Sequence, residues 1–362
     1  DESDYELLRE LIDWVQSQGG YISKKQAIRR EDPSDPRSLR GVYATEPIRK
    51  GELLHAVPAE AILHGDGESW CSTVRELLKE KELGNESAFA PYVRFLMAQS
   101  AGQLPSAWSD SGKALLSVVT KNNTFPDAQV SAMTHLWELE CQGDSTPRVL
   151  HAAMIVVQRG EDDLLVPWYD MHSHRNGRWT NANRESTEGE VSQLVASRDI
   201  EAGEQIYLSY NQCPVDCRLR LFEYGTAELF KDYGFIEPMP QRWFIPDLEL
   251  VFDLDHKRDG SGDLEVIWQF DWRPSELTAP KVSVLREELQ RLRGLQADWS
   301  ALVAGVIAAE ERACRQYLAA LATALAHAVD SAQGALALAV DSAAGAELPA
   351  PAGGRGAEEG EL

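Results

Sequence analysis

Four short stretches hold residues whose types and spacing could do chemistry. In Asp170-Met171-His172-Ser173-His174 a carboxylate and two imidazoles alternate with other side chains. On a strand Asp170, His172 and His174 share one face, a half-site for a metal that accepts oxygen and nitrogen ligands. No further ligand is identifiable and the segment runs on into Arg175-Asn176-Gly177, so a solvated turn is the ordinary alternative. Cys213 and Cys217 stand four apart beside Pro214, but a zinc site needs a second pair at comparable spacing and neither Cys71 nor Cys141 supplies one. Two thiols near a helix start is the preferred reading, and no metal is expected. In Gln205 to Tyr210, the residues Ile206, Leu208 and Tyr210 fall on one face of a strand and Tyr207 and Ser209 on the other, so Tyr210 is either a reactive phenol or a buried one that satisfies a carbonyl. Gly41, in Arg40-Gly41-Val42-Tyr43, either lets a backbone turn approach a ligand closely or makes a plain β-turn.

Those residues need elements to hold them. Leu7, Leu8, Leu11, Ile12 and Val15 form one helical stripe across residues 4 to 18, and Gly19-Gly20 stops it. Arg40 to Pro58 reads as two short strands around a turn at Arg49-Lys50-Gly51, hairpin-like. From Ser69 to Ile155 the pattern is helical, with Val74, Leu77, Leu78, Tyr92, Phe95 and Leu96 spaced for buried faces and breaks at Pro105 and Pro126. Strands return at Leu164 to Val166, Leu194 to Ser197, Gln205 to Tyr210, Trp243 to Leu254 and Leu264 to Phe270, the last two joined by a turn at Arg258 to Asp263. Strands split by helices indicate an α+β fold rather than a βαβ alternation. Residues 281 to 340 are helical and Ala-rich, and ALAHAVDSAQGA at 324 recurs as ALALAVDSAAGA at 335. The 11-residue shift keeps Leu325 with Leu336 and Val329 with Val340 on one face, as in a packing helix. Residues 341–362, rich in Ala, Gly, Pro and Glu, are expected to form a disordered tail.

The whole chain has 362 residues, enough for two domains or one elaborated one at about 150 residues per domain. A formal charge of −23 argues against nucleic acid as the main partner, since phosphate binding draws on clustered Lys and Arg. The basic cluster Lys24, Lys25, Arg29 and Arg30 reads as a solvated face. No run approaches the roughly 18 apolar residues that span a bilayer. Membrane insertion and a signal peptide are not expected, although the chain opens on Asp1 and a removed targeting segment stays open. Five scattered cysteines make no disulfide framework, so a reducing, intracellular location is expected, with cytoplasm, nucleus and plastid all open.

Four segments in order, RGVYATEPIRKGE at 40, LLVPWYDMHSH at 164, ASRDIEAGEQIYLSYN at 196 and AELFKDYGFIEP at 227, resemble the SET-domain methyltransferases. The resemblance is to the Rubisco large-subunit methyltransferase branch, and PYVRFLM, Pro105 and Trp108 look like its helical insert. It implies a SET β core with a pseudoknot over residues 1–238, a helical insert at about 67–152, and a mainly helical substrate-binding lobe at 239–340. It further implies an S-adenosylmethionine-dependent protein N-methyltransferase acting on lysine in a protein substrate. A histidine acceptor and a non-catalytic scaffold that binds protein partners are the alternatives. By the same resemblance Tyr210 is the catalytic residue, orienting the accepting nitrogen and the methyl. Arg40, Gly41, Val42, Tyr43, Arg159, Asp170, Ser173, His174 and Tyr233 lie on the cofactor, with Tyr233 as an aromatic wall beside the sulfonium. The chain departs from the pattern where Ser173 replaces Asn, where Gln158 replaces the Ser before Arg159, and where QCPVDCRLRLFEYGT is interposed after Asn211, an added helical turn with Arg218 and Arg220 exposed.

Overall fold

The first apolar stripe forms α1 (Glu2–Ser17), which sinks Leu11 and Val15 into the core and ends as Gly19 turns the chain at φ 87°. The computed structural model describes residues 2–32, 40–66, 69–99, 104–121, 137–161, 163–187, 191–213, 217, 224–269 and 277–345. Four strands follow α1: β1 (Tyr21–Ile22), β2 (Gln26–Arg30), β3 (Arg40–Ala44) and β4 (Leu53–Pro58).

The hairpin expected over Arg40 to Pro58 is not formed. β3 pairs antiparallel with β2, and β4 lies between β1 and a distant strand of residues Val191–Ala196. The turn at Gly51 is present, at φ 80°, but Ile48 bridges Ile200 and both side chains are buried. Long-range burial, not the local turn, selects the partners.

The helical stretch gives α2 (Trp70–Leu83), α3 (Ala90–Met97), α4 (Asp110–Thr120) and α5 (Pro147–Arg159). Val74, Leu77, Tyr92, Phe95, Leu96 and Ile155 join the core of α1, β3 and β4. Two short antiparallel strands follow α5, β5 (Gly160–Glu161) and β6 (Leu164–Leu165), and then β7 (Ser173–His174). Next come β8 (Ala182–Thr187) and β9 (Val191–Ala196), which complete a sheet of order β1-β4-β9-β8, and then β10 (Tyr207–Leu208). β8 has no apolar alternation for a sequence reading to find, since Asn183, Arg184, Glu185, Ser186 and Thr187 all lie in it.

The C-terminal part opens with α6 (Thr226–Tyr233) and a three-stranded antiparallel sheet of β11 (Gln241–Ile245), β12 (Leu250–His256) and β13 (Leu264–Trp268). The single strand expected from Trp243 to Leu254 is therefore two, broken where Pro246 removes a ladder donor and Glu249 adopts φ 48°. Of the helices α7 (Ala279–Ala297), α8 (Trp299–Leu302) and α9 (Ala308–Gly345), α9 packs on this sheet and α7 packs on α9. Their core takes Leu115, Leu116 and Val119 from α4 and Phe230 from α6. In α9 the first repeat copy buries Leu325 and Val329, whereas the second leaves Leu336 half-buried and Leu338 exposed. Among the described side chains the packing face is thus the fuller in the first copy. The helix also runs to Gly345, past the expected tail boundary, and the remainder of that tail lies outside the described residues.

The cysteine reading is corrected as well. Cys71 on α2 is bonded to Cys141, with 5.3 Å between their Cα atoms, and Cys213 is bonded to Cys217, with 4.3 Å. Both separations are in or next to the usual disulfide range. The first pair is brought together by tertiary packing across 70 residues, which spacing along the chain does not reveal. Cys314 is a buried free thiol. No described helix is long and apolar enough to cross a membrane.

Two buried imidazoles sit where β4 meets the chain before β7. The rings of His55 and His172 are 5.6 Å apart, and both nitrogens of His55 and Nε2 of His172 lack a hydrogen-bond partner among the described residues. Desolvation holds both below the usual histidine range, His172 at about 4, with His55 pushed further by its neighbour. A histidine whose pKa is lowered by folding contributes stability that is complete above about 6.5 and is lost as pH falls toward the folded value. For His172 that amounts to roughly 3 kcal/mol between pH 7 and pH 4. His172→Asn keeps a donor for the Tyr169 carbonyl, now 3.0 Å from Nδ1, but cannot titrate. Urea unfolding should show the wild type losing about that much more stability than His172→Asn over this interval. Parallel pH profiles for the two proteins are the contrary result.

Candidate active site

The site is built where two very short strands meet. β7 and β10 run parallel, with Tyr207 opposite Ser173 and Leu208 opposite His174. Asn181, fully buried, extends this pairing with its side chain: its Oδ1 accepts from the Tyr207 N–H at 2.8 Å and its Nδ2 donates to the Gln205 carbonyl at 2.8 Å. Immediately beyond β10, the Tyr210 N–H donates to Nδ1 of His174 at 3.0 Å, and the Tyr210 hydroxyl donates to the His172 carbonyl at 2.5 Å. The backbone that carries Tyr210 and the phenol itself are therefore both anchored on the segment around β7.

Tyr210 stands among aromatic rings. The Tyr233 centroid is 4.8 Å away, that of His174 5.1 Å and that of Phe235 6.5 Å. Tyr233 closes α6, and Gly234, at φ 77°, caps the helix in the left-handed region so that Phe235 returns to the same cluster. Burial raises the phenol pKa of both Tyr210 and Tyr233. At neutral pH both are proton donors, not phenolates.

Asp170 lies in a short 3-10 turn, Tyr169–Met171, not on a strand. Asp170, His172 and His174 consequently do not share a face: Asp170 turns to Arg159, His172 to His55 and His174 to Tyr210. The Arg159 Nη1 donates to the Asp170 carbonyl at 3.0 Å and lies 3.5 Å from its Oδ2, which also accepts from the Tyr92 hydroxyl at 3.1 Å. Desolvation pushes the Asp170 carboxyl up to about 6 despite the opposing effect of Arg159. Its Oδ1 is buried and has no partner among the described residues.

Arg40 to Tyr43 is strand β3, not a turn. Val42 is fully buried in the core, Tyr43 bridges Gln205 with its phenol pushed up to about 12 by burial and Glu31, and the Arg40 guanidinium lies 5.6 Å from the Tyr5 ring. Gly41 does allow a close approach, to the chain's own Gln205. A Cβ at Gly41 would stand 2.0 Å from the Gln205 Nε2 and 3.2 Å from the Ser173 Oγ. That Nε2 donates to the Ser173 Oγ at 2.9 Å while the Tyr207 hydroxyl donates to the Gln205 Oε1 at 2.7 Å.

The expected site residues thus form two described groups, Tyr210 with His174 and Tyr233, and Arg159 with Asp170, plus Gly41 with Ser173 on the flank of β10. Tyr92, Asn181, Gln205, Phe235 and Glu237 are additions that the sequence reading missed. Phe235 and Glu237 lay within AELFKDYGFIEP and Tyr92 within PYVRFLM, so the signal for these was adjacency to a recognised motif. Arg218 and Arg220 lie outside the described residues.

The SET domain model matches residues 39–211, from the edge of β3 to the residue after Tyr210. Those residues match a SET domain, which spans just under half of the chain. It is 24% identical over 292 residues to the N-lysine methyltransferase setd6 of Danio rerio, a match that covers 66% of this chain and 59% of that protein's length. Among solved structures, Rubisco LSMT bound to sinefungin and monomethyllysine aligns at TM-score 0.53 and 14% identity, covering 89% of each chain. The SET domain of LSMT bound to lysine and AdoHcy aligns at TM-score 0.51 and 14% identity, covering 91% of this chain and 92% of that one. At such identity the likeness is one of fold, and it extends through the C-terminal lobe.

In this SET domain, Gly41→Ala should expel the Gln205 amide from Ser173. The loss is that of one buried hydrogen bond, about 0.5 to 1.5 kcal/mol. Gly41→Ala with Gln205→Ala should be no less stable than Gln205→Ala alone. Urea unfolding of the three variants checks this, and additive losses would show that Gly41 is needed for some other contact.

Proposed function

We propose that the protein is an S-adenosylmethionine-dependent protein N-methyltransferase with lysine as the acceptor. The observation that carries the reading is Tyr210, whose hydroxyl is fixed on the His172 carbonyl at 2.5 Å inside a cluster of Tyr233, Phe235 and His174. The name of the zebrafish relative supports lysine over other acceptors.

The residues present fit such a cofactor. Electron-rich ring faces attract a cationic centre. The buried Asp170 Oδ1 is an acceptor with no donor among the described residues. His174, Tyr210, Tyr233 and the Asp170 to Ser173 segment are the groups that would hold it. When bound, S-adenosylmethionine supplies a methyl on a sulfonium, which a neutral amine can accept.

The chain's own contribution is positioning and desolvation. Tyr210 keeps its proton, so it acts as a hydrogen-bond donor and a fixed ring, not as a base. Tyr210, Tyr233 and Phe235 wall off water, which disfavours the ammonium form of an entering lysine and lowers its pKa toward the neutral nucleophile. Tyr92 and Arg159 hold Asp170, two residues before the His172 carbonyl on which Tyr210 is anchored.

Tyr210→Phe keeps the ring and removes the anchoring hydroxyl. Methyl transfer from labelled cofactor into a cell lysate should fall by about a hundredfold or more, while cofactor binding by calorimetry stays within a few fold. Equal transfer by both proteins overturns the role of Tyr210, and no transfer by either favours the non-catalytic scaffold. Lysine must lose its proton from a reference pKa near 10.4, whereas imidazole is mostly neutral above about 6.5. The wild-type rate on the labelled acceptor should therefore keep rising from neutral toward alkaline pH. A plateau near neutrality together with mass spectrometry placing methyl on imidazole is the result that replaces lysine by histidine.

A further inference from the structure

Glu237 is fully buried, three residues beyond the glycine that caps α6, and its carboxylate gathers donors from separate parts of the chain. Its Oε1 lies 3.1 Å from Nε2 of His174 and accepts from Nδ2 of Asn176 at 2.6 Å and of Asn211 at 3.4 Å. Its Oε2 accepts from the Thr226 hydroxyl at 2.7 Å and from the Arg242 N–H at 3.2 Å. The opposite nitrogen of His174, Nδ1, accepts the Tyr210 N–H at 3.0 Å.

These contacts dictate a tautomer. Nδ1 faces a backbone donor and must be an acceptor, so the ring proton sits on Nε2 and is donated to Glu237. An imidazolium would set two N–H groups against each other at Tyr210. We infer that Glu237 is a positioning residue for methyl transfer: it holds His174 as the Nε2–H tautomer, and His174 in turn sets the backbone that aims Tyr210. Because Oε2 is tied to the start of α6 and to β11, the same carboxylate couples the C-terminal lobe to the site. The inference rests on the methyltransferase reading, and its test separates the two.

Glu237→Gln can keep its amide oxygen toward His174 and turn its NH2 to Thr226, whose hydroxyl can accept, at the cost of the bond from the Arg242 N–H, so the contacts on the His174 side are kept while the charge is lost. His174→Asn places an oxygen near the position of Nδ1 for the Tyr210 N–H but lacks the arm to Glu237. Each variant should lower kcat roughly tenfold to a hundredfold, with the cofactor KM of Glu237→Gln changed no more than about threefold. The double variant should fall no further than the worse single one, because both cut the same relay. Losses that multiply in the double variant, or an unaltered kcat in Glu237→Gln, overturn the inference. A nitrogen-15 NMR spectrum of the wild-type His174 ring decides the point even where a variant fails to fold: Nε2–H supports the relay, and Nδ1–H or imidazolium refutes it. A wild-type chain that folds and transfers no methyl in the lysate assay removes the activity reading instead, and the tautomer then stands or falls on the spectrum alone.

Discussion

The parallel pair of β7 and β10 is only two residues long, and the polar groups around it are buried. A ladder so short cannot satisfy its own backbone, and each buried amide left without a partner costs about 1 to 3 kcal/mol. Side chains therefore take over the ladder's work. Asn181 completes β10, His174 takes the Tyr210 N–H, and Ser209 accepts the Cys213 N–H at 2.6 Å while donating to Asn176 at 2.8 Å. A half-satisfied network would be worse than an apolar one. This requirement explains why asparagine, serine and histidine crowd a region that hydropathy alone would assign to a loop.

The C-terminal lobe is drawn into the same network through β11. Arg242 is fully buried and forms a bidentate pair with Asp253 on β12, at 2.7 and 2.8 Å, and also donates to the Cys217 carbonyl at 3.1 Å. Such pairs contribute little net stability after desolvation, but their geometry is demanding, and removing one partner leaves a buried charge uncompensated. The pair fixes the register of β11 against β12, and that register delivers the Arg242 N–H to Glu237. Gly225 is part of the fit, since a Cβ there would stand 2.3 Å from the Arg242 carbonyl oxygen. The lobe and the aromatic cluster thus meet through backbone contacts at the start of α6.

What was legible in the sequence was what local pattern encodes. The stripe of α1, the helical face of Leu325 and Val329, and the turn between β12 and β13 all announce themselves within a dozen residues, whereas Tyr210 and Tyr233 stand out only through the family resemblance. The failures share a physical cause. β2 and β8 are mostly polar strands that give the core only Ile28 and Ala182, the partners of β3 and β4 are chosen by distant burial, and Cys71 meets Cys141 only in the folded chain. Asp170 looked like one member of a strand because its neighbours alternate, but the turn at Tyr169 overrides that alternation. Glu237 was invisible as a functional group because a single acid carries no pattern; its meaning comes from the donors that four other parts of the chain bring to it.

By the resemblance Ser173 stands where the family carries asparagine, and its surroundings accommodate the smaller side chain. A serine hydroxyl is shorter than the asparagine amide it replaces, and taken alone it would leave a gap and an unmet polar group beside β3. Here the Gln205 side chain fills that space, bonded to Ser173 on one end and to the Tyr207 hydroxyl on the other. Only a glycine at position 41 admits the Gln205 amide so close to β3. The three residues are therefore coupled: Ser173 is tolerated because Gln205 reaches it, and Gln205 reaches it because Gly41 has no side chain. The contacts that place Tyr210 run through His172, His174 and Asn181 and not through the Ser173 side chain, so the phenol is positioned independently of that hydroxyl.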